Sequence, residues 1–305
     1  MFSDIPRPGN SPARRLPQPG RPAQNGSMDQ PGTGAGGVES VLNFQIEEPA
    51  TVVVQLALPD VPAGERLEVT ADTGSVPATE LPRPDSSGRD GGRQQLLRLP
   101  VGAVTVRYTA PVPARSGDIT PEPLTDLARV VALRPSRYCP SDRLIGYATG
   151  NFGHLTTDAD RVRAITEYVY QHLAYEAGVS GPSTDAAETL LAGRGVCRDF
   201  AHLTTTLCRA LNVPARVAAV YAPGLTPMDF HLVTETAIDG AWYVWDSTRL
   251  APRQTLLRIA TGRDAADVAF STVLDGRLQL PGMQITAVAP ADLPGDDHTA
   301  LVRLA

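Results

Sequence analysis

The sequence predicts an α+β fold, in which helices pack on an antiparallel sheet and a small β-rich region precedes them. Three observations lead to this prediction. Short segments of alternating apolar residues fill much of the first third of the 305-residue chain. Apolar residues at helical spacing dominate the middle third. The hairpin signal Asp239-Gly240 then lies between two strand-like segments.

The chain divides into four parts by composition. Residues 1–38 are rich in proline, glycine, glutamine and serine, and we expect a disordered tail there. Residues 39–115 form the N-terminal β-rich region, residues 116–145 a proline-punctuated linker, and residues 146–305 the larger core. The predicted strands of the β-rich region are Val41–Ile46, Thr51–Leu58, Arg66–Thr70, Gln95–Leu99 and Ala103–Tyr108.

Three helices are predicted in the core, and further strands follow them. The first helix runs from about Asp158 to Leu173, and the second from Asp185 to Leu191 with Thr184 as its cap. The third begins near Cys197, and its apolar residues recur at helical spacing. The other predicted strands of the core, besides the two of the hairpin, are Arg216–Tyr221, Gln279–Ala289 and Ala300–Leu304.

Cys197 lies in the predicted first turn of the third helix. Gly193 and Gly195 precede it and permit a tight turn, while Asn212 and Pro214 end the helix. Free N–H groups and the positive end of the helix dipole both favour a thiolate at such a position. The same N–H groups can hold an oxyanion, so the position suits a nucleophilic cysteine.

A histidine and an aspartate on the predicted hairpin provide the groups that a thiol nucleophile needs. Pairing the two strands across Asp239-Gly240 places Val233 opposite Asp246. His231 is then diagonal to Asp246 on the same face, within reach of its side chain. A slip of one residue in the register would put the two side chains on opposite faces. The sequence therefore predicts a contact between His231 and Asp246.

The chain resembles the transglutaminase-like superfamily, and specifically its bacterial branch, around these three residues. The resemblance covers roughly two-thirds of the chain and is specific as a set. Further matches adjoin the hairpin, and Pro135–Cys139 looks like the joint between the family's N-terminal β-region and its core. The matching segments are Gly195–His202, Met228–His231, Trp242–Thr248, Arg249–Arg253 and Arg258–Phe270.

This resemblance implies a papain-like core and a role for each of the three residues. Cys197 would be the nucleophile, His231 the general base and acid, and Asp246 the group that orients the imidazole. Tyr175 is an oxyanion candidate, because the superfamily often uses an upstream side chain there; an exposed tyrosine at a strand end is the alternative. We expect Cys139 and Cys208 to be inert buried thiols.

Arginines are concentrated in the segment that carries these residues. Residues 194–263 contain eight arginines and five acidic residues, although the whole chain has a net charge of −6. Arg249 and Arg253 are therefore candidates for binding carboxylates of an acidic substrate. The alternative is that these arginines brace loops against the core.

Composition excludes several functional classes. The net charge of −6 argues against nucleic acid as a general partner, and no apolar run approaches the length of a membrane span. Three scattered cysteines argue against a disulfide framework or a structural zinc site, and we expect a reducing cytoplasm as the location. The expected partner is a peptide or protein substrate, and the mechanism needs no metal or organic cofactor.

The sequence favours cysteine-dependent hydrolysis of an amide or peptide bond, or acyl transfer, through a thioester on Cys197. Hydrolysis and transfer would use the same residues, and they differ in whether water or an amine resolves the thioester. Cross-linking of the transglutaminase type is one alternative. A non-catalytic protein-binding module on the same fold is the other, although such modules usually lack one of the three residues.

Overall fold

A computed structural model describes residues 36–82, 91–112, 119 and 122–304. These residues form two antiparallel sheets, one pair of short parallel strands and five α-helices. The expected disorder of residues 1–35 lies outside the described residues, and residues 36–38 belong to the first strand. The mixture of antiparallel sheets and helices confirms the predicted α+β class.

The elements follow one another along the chain in this order. The strands are β1 (Gly36–Val54), β2 (Arg66–Ala71), β3 (Gly74–Ser75), β4 (Ala78–Glu80), β5 (Gln95–Leu99), β6 (Gly102–Val112), β7 (Ala174–Tyr175), β8 (Arg194–Gly195), β9 (Ala215–Tyr221), β10 (Phe230–Ile238), β11 (Ala241–Trp245), β12 (Leu257–Gly262) and β13 (Ser271–Val288). The helices are α1 (Asp126–Leu133), α2 (Ile145–Phe152), α3 (Asp158–His172), α4 (Ala186–Ala192) and α5 (Cys197–Ala210).

The N-terminal sheet has the strand order β3-β2-β6-β1-β5-β4, and β13 pairs with the other edge of β1. The two strands predicted over residues 41–46 and 51–58 are one strand, β1. The exposed Glu47-Glu48-Pro49 stretch interrupts the apolar alternation, which suggested a break. The chain stays extended there because β13 pairs with it through irregular registers, which a local pattern does not reveal.

The last long strand belongs to the N-terminal sheet rather than to the core. β13 begins eight residues before the predicted start at Gln279, and its register runs from Val54↔Ser271 to Gly37↔Val288. Side-chain alternation indicates a strand but not its partner, so the sequence could not assign it. The strand predicted at Ala300–Leu304 is reduced to a single bridge between Val302 and Val244.

The second sheet has the order β11-β10-β9-β12, and helix α5 packs against it. All residues of α5 from Asp199 to Ala210 are buried, since α3 and α4 cover its remaining faces. The predicted bounds of α3 are nearly correct, but the cap of α4 is Asp185 rather than Thr184. Asp185 forms a capping box with Glu188, whereas the Thr184 hydroxyl accepts the N–H of Gly181.

The segment predicted as a linker contains regular structure. Helix α1 lies within it, with Thr125 as its cap, and a 3₁₀ turn follows at Ser141–Arg143. Ala132 of α1 packs in a small apolar cluster with Trp242 and Ala237 of the second sheet. Among the described residues, none of the helices combines the length and the apolar character needed to cross a bilayer.

Candidate active site

The turn before α5 is shaped around Asp199. Its carboxylate accepts hydrogen bonds from the Val196 backbone N–H at 2.8 Å and from the Ser180 hydroxyl at 2.6 Å. The side chain thus folds back over Gly195, where an added Cβ would lie 2.6 Å from the Cβ of Asp199. Only glycine fits at position 195, and this close approach fixes the backbone immediately before Cys197.

Cys197 is partly exposed at the N-terminus of α5. The N–H groups of Asp199 and Phe200 bond to the carbonyl of Val196, whereas those of Cys197 and Arg198 have no carbonyl acceptor one turn earlier in the helix. This is the geometry in which a helix N-terminus favours negative charge. Cys197 therefore lies where a thiolate and a tetrahedral oxyanion are both stabilised.

The pairing of β7 with β8 brings Tyr175 beside Cys197. Tyr175 pairs with Gly195, two residues before the cysteine, and its side chain is 49% exposed. Burial raises the pKa of Tyr175 to about 12, and the Cys197 thiol adds to the rise, whereas the Cys197 backbone N–H opposes it by donating to the hydroxyl. The oxyanion candidate thus adjoins the thiol as a protonated hydroxyl.

The hairpin of β10 and β11 has the predicted register. Its paired residues run from Ile238↔Ala241 to Thr234↔Trp245, and the next step along the ladder places Val233 opposite Asp246. His231 and Asp246 consequently share one face. Nε2 of His231 donates to Oδ2 of Asp246 at 2.9 Å, and both side chains are almost fully buried. The predicted contact is confirmed.

Asp246 is held at both of its oxygens. Oδ1 accepts the backbone N–H of Thr248 at 2.9 Å and its hydroxyl at 2.7 Å. Burial acts to raise the pKa of Asp246, but the charge of His231 and the bonds from His231 and Thr248 outweigh it and lower the pKa. The carboxylate is therefore ionised and fixed in orientation next to the imidazole.

His231 is positioned between Asp246 and Cys197. Burial acts to lower its pKa, but the Asp246 charge and hydrogen bond, together with interactions from Cys197, raise it to about 10. Nε2 is bonded to Asp246, and Nδ1 is buried without a hydrogen bond to the described residues. Nδ1 is thus the nitrogen left to face the thiol, and Asp246 favours the imidazolium form.

The other histidine and cysteines near α5 have different surroundings. His202 stacks on Tyr138 with ring centroids 5.2 Å apart, and its Nε2 accepts the N–H of Ala265 at 3.1 Å. Burial lowers the pKa of His202 to about 4, so the ring is neutral. Burial likewise raises the pKa of Cys139 to about 12 and raises the pKa of Cys208. These groups pack the interior, away from the thiol of Cys197.

Arg253 is buried and paired within the protein, as the alternative in which the arginines brace loops predicts. Its side chain is 1% exposed, and its guanidinium forms an ion pair with Asp296 at 2.8 Å. It also donates to the backbone carbonyls of Val244 and Ala300. A strongly charged residue in a loop can hold the chain ends to the core as readily as it can face a ligand, and sequence does not distinguish the two.

Arg249 lies over the ring of Tyr170, 3.9 Å from its centroid, and forms an ion pair with Glu167. Both partners belong to α3, so the guanidinium is directed to that helix. Its binding to a substrate stays a prediction. The bracing interpretation of the arginines therefore accounts for Arg253 and for the observed contacts of Arg249.

Two residues that sequence reasoning missed also belong to this site. Thr248 follows Asp246 by two residues, and an aspartate that accepts the N–H two positions ahead is a common local turn. Asp229 precedes His231 by two residues and is exposed. Both spacings were visible in the sequence. No cluster of three or more metal-binding side chains occurs among the described residues.

A cavity of about 490 Å³ lies elsewhere, against α1 and Trp242. Its lining includes Arg209 and Arg216 but none of the three residues Cys197, His231 and Asp246. The chemistry assembled around Cys197 is therefore at the surface near the start of α5, and not in this cavity.

Comparison with known proteins identifies the family that the chain resembles. Residues 146–247 match the sequence profile of the Transglutaminase-like superfamily, and this range includes Cys197, His231 and Asp246. The "Putative Cysteine Protease" from Cytophaga hutchinsonii, whose crystal structure is known, is 31% identical in sequence to this chain, and the two structures align with a TM-score of 0.76. The alignment covers 89% of this chain and 96% of that one.

A second similarity is more limited. The "Uncharacterized protein ML0607" of Mycobacterium leprae is 27% identical over 148 residues, which are 45% of this chain and 52% of that protein. The chain thus spans about half the length of this relative. The match to the crystal structure, by contrast, includes the N-terminal sheet as well as the core, because it extends over most of both chains.

Proposed function

Because the chain belongs to the transglutaminase-like superfamily, we propose that it cleaves amide or peptide bonds through a thioester on Cys197. The observation that carries this proposal is the position of His231, with one ring nitrogen bonded to Asp246 and the other left to face the thiol. This arrangement gives the nucleophile, the proton carrier and the orienting group that cysteine-dependent acyl transfer requires.

The reaction begins with the thiolate form of Cys197 beside the imidazolium form of His231. The sulfur attacks the carbonyl carbon, a carbon–sulfur bond forms, and the carbonyl oxygen becomes an oxyanion. Collapse of this intermediate breaks the carbon–nitrogen bond, and His231 gives its proton to the leaving amine. Asp246 supports this proton donor by stabilising the imidazolium and by fixing its orientation.

The oxyanion lies in front of the helix start. The hydroxyl of Tyr175 accepts the backbone N–H of Cys197 and keeps its own proton to donate to the oxyanion. Tyr175 keeps its proton at neutral pH because its pKa is raised to about 12, first by burial and then by Cys197. A donor aimed at the oxyanion contributes about 10²–10³-fold to turnover in comparable sites.

The thioester is resolved by a second attack. After His231 has given up its proton, the neutral imidazole accepts a proton from water, and the hydroxide oxygen attacks the thioester carbon. The acid product leaves and the thiolate and imidazolium are restored. An amine can replace water in this step, in which case the product is a new amide and the same residues act as a transferase.

Mass spectrometry of peptides incubated with the protein tests the proposal. We expect new termini, or loss of ammonia from glutamine side chains, with the wild type and no products with Cys197→Ala. Cys208→Ala is the matched control, since Cys208 is buried in the same helix and has no part in the proposed chemistry. A trapped acyl-enzyme of the expected mass on Cys197 supports the thioester. Products from Cys197→Ala at the wild-type rate would refute it.

Adding a primary amine to the same reaction separates the two outcomes of the second step. Hydrolysis gives the free acid at all amine concentrations, and transfer gives an amide product that increases with the amine. A protein that binds peptides but forms no acyl-enzyme would instead be a binding module on this fold.

A further inference from the structure

Asp229 lies at the outer end of the face that carries His231. It immediately precedes β10, and residues two apart in an extended segment direct their side chains to the same side. His231 is buried whereas Asp229 is exposed, so the face passes from the interior to the solvent over these two residues. The carboxylate of Asp229 therefore lies at the exposed end of the face that carries His231.

The charge of Asp229 acts on two groups of the proposed site. It contributes to the raised pKa of Tyr175, after burial and Cys197, and it interacts with the imidazole of His231. The ring of Tyr175 is half exposed and packs at a tilt against Phe200, with centroids 5.9 Å apart. A carboxylate and an aromatic ring thus flank the approach to the thiol.

The carboxylate of Asp229 is fixed, and its charged neighbour is the imidazole of His231 rather than an arginine. Its Oδ1 accepts the N–H of Phe230 at 2.7 Å, which holds the side chain at the start of β10. Within the described part of the chain, no arginine forms an ion pair with it. The arginines of this region are paired with other residues: Arg194 with Glu176, Arg198 with Asp199, Arg249 with Glu167 and Arg253 with Asp296.

We propose that Asp229 is a specificity-determining residue, which binds an ammonium or guanidinium group of the substrate close to the bond that Cys197 attacks. The inference rests on the proposed function. The cationic group can be a free α-amino group, or the side chain of a lysine or an arginine within one or two residues of that bond. The ammonium donates to the carboxylate of Asp229, and the exposed ring of Tyr175 provides a second favourable surface for the same cation.

This preference is the opposite of the one expected from the arginine count. The guanidinium groups of Arg253 and Arg249 are directed to Asp296 and Glu167, so neither offers an unpaired charge to an acidic substrate. Asp229, by contrast, is an exposed carboxylate with which no arginine of the described residues forms an ion pair. An acidic group placed next to it would be repelled, and a cationic group attracted.

Matched substrates test the inference. A peptide that the wild type cleaves is prepared with lysine, norleucine or glutamate at each position flanking the cleaved bond, so that length and apolar area stay similar. We expect kcat/KM to be about tenfold higher for the lysine peptide than for the norleucine peptide at one of these positions. The glutamate peptide should be the poorest, and the preference should decrease as salt is added.

Substitutions of Asp229 locate the source of the preference. Asp229→Asn should bring the lysine-to-norleucine ratio close to one, and Asp229→Lys should shift the preference toward glutamate. Glu176→Gln is the matched control, because Glu176 follows Tyr175 directly but is already paired with Arg194. It should keep the wild-type ratio. A change in the protonation of His231 affects both peptides equally and cancels in the ratio.

The possible results separate the two proposals. Cleavage that depends on Cys197 but shows no charge preference, or a preference that survives in Asp229→Asn, overturns the role of Asp229 and leaves the proposed function standing. A peptide panel with no product that depends on Cys197 overturns the proposed function and the inference with it. A ratio that falls equally in Glu176→Gln would assign the effect to general surface charge and overturn the specific role of Asp229.

Discussion

Nε2 of His231 and Oδ2 of Asp246 lie 2.9 Å apart on one face of a two-stranded hairpin. The contact depends on the register set by the turn at Asp239-Gly240, where both residues adopt positive φ angles. This turn lies between the histidine and the aspartate, which are fifteen residues apart in the chain. It thus determines whether the two side chains meet. The exposed Asp229 immediately precedes the strand that carries His231, so this hairpin also positions that carboxylate.

Replacing Asp246 with asparagine should preserve the fold and abolish most of the activity. The amide retains the size of the side chain and its contact with Thr248, but it no longer stabilises the imidazolium of His231 and can favour the wrong tautomer. We expect kcat to fall by roughly 10³–10⁴-fold. Steady-state kinetics with circular dichroism as the folding control measure this. Asp239→Asn, in the exposed turn of the same hairpin, should leave kcat unchanged.

Two buried histidines should differ in protonation at neutral pH, with His231 positively charged and His202 neutral. The pKa of His231 is raised to about 10, chiefly because Asp246 outweighs the effect of burial, whereas burial lowers the pKa of His202 to about 4. Nitrogen NMR of labelled histidine should therefore show a protonated ring for His231 and a neutral ring for His202 at pH 7. Two neutral rings would contradict the assigned charge of His231.

The same two shifts predict how stability depends on pH. An unfolded histidine has a pKa of ~6.5. The raised pKa of His231 means that its stabilising contribution is complete below pH ~6.5 and is lost as the pH rises toward 10. The lowered pKa of His202 makes stability fall as the pH drops from ~6.5 toward 4. Chemical denaturation should show that the free energy of unfolding decreases less above pH ~6.5 in His231→Gln than in the wild type.

Iodoacetamide should modify one cysteine of the native protein. Cys197 is partly exposed, whereas Cys139 and Cys208 are fully buried and burial raises the pKa of both. Peptide mapping should find the label on Cys197 at limiting reagent, and on all three cysteines after unfolding. The native Cys197→Ser variant should take up almost no label. Early labelling of Cys139 in the native wild type would show that its surroundings are open.

Removing the guanidinium of Arg253 should destabilise the protein more than removing that of Arg249. Arg253→Met leaves the buried Asp296 without its partner, and we expect the free energy of unfolding to fall by about 3–5 kcal/mol. Arg249→Met removes a partly exposed pair and should cost less than about 1 kcal/mol. Urea denaturation compares the two. Equal, small decreases in the free energy of unfolding for the two variants would contradict the burial of the Asp296 side chain.

The sequence predicted the parts of the fold that depend on short-range patterns. The bounds of α3 and α5 and the hairpin register followed from helical spacing, an asparagine stop and the Asp239-Gly240 turn. These signals lie within a few residues of the element that they define. The contact of His231 with Asp246 could be predicted for the same reason, because a tight turn relates the two strands directly.

Features that depend on distant partners could not be predicted. The continuity of β1 past Pro49 requires β13, which lies more than two hundred residues later. The burial of Arg253 requires Asp296, and the short pairing of Tyr175 with Gly195 requires the loop between them. Periodicity records which side chains are apolar, but it does not record which segment lies beside them.

The long pairing of β1 with β13 also determines when the protein can finish folding. One edge of β1 is covered by β5 and β6, whose residues are synthesised soon after it, whereas the other edge pairs with β13. A ribosome adds about 5–20 residues per second, so β1 waits on the order of 10–50 s for β13 to emerge. During that time an open edge is available to other chains. The closure of the N-terminal sheet is thus a late event in synthesis, and any polypeptide that ends before residue 271 lacks the strand that pairs with this edge from Gly37 to Val54.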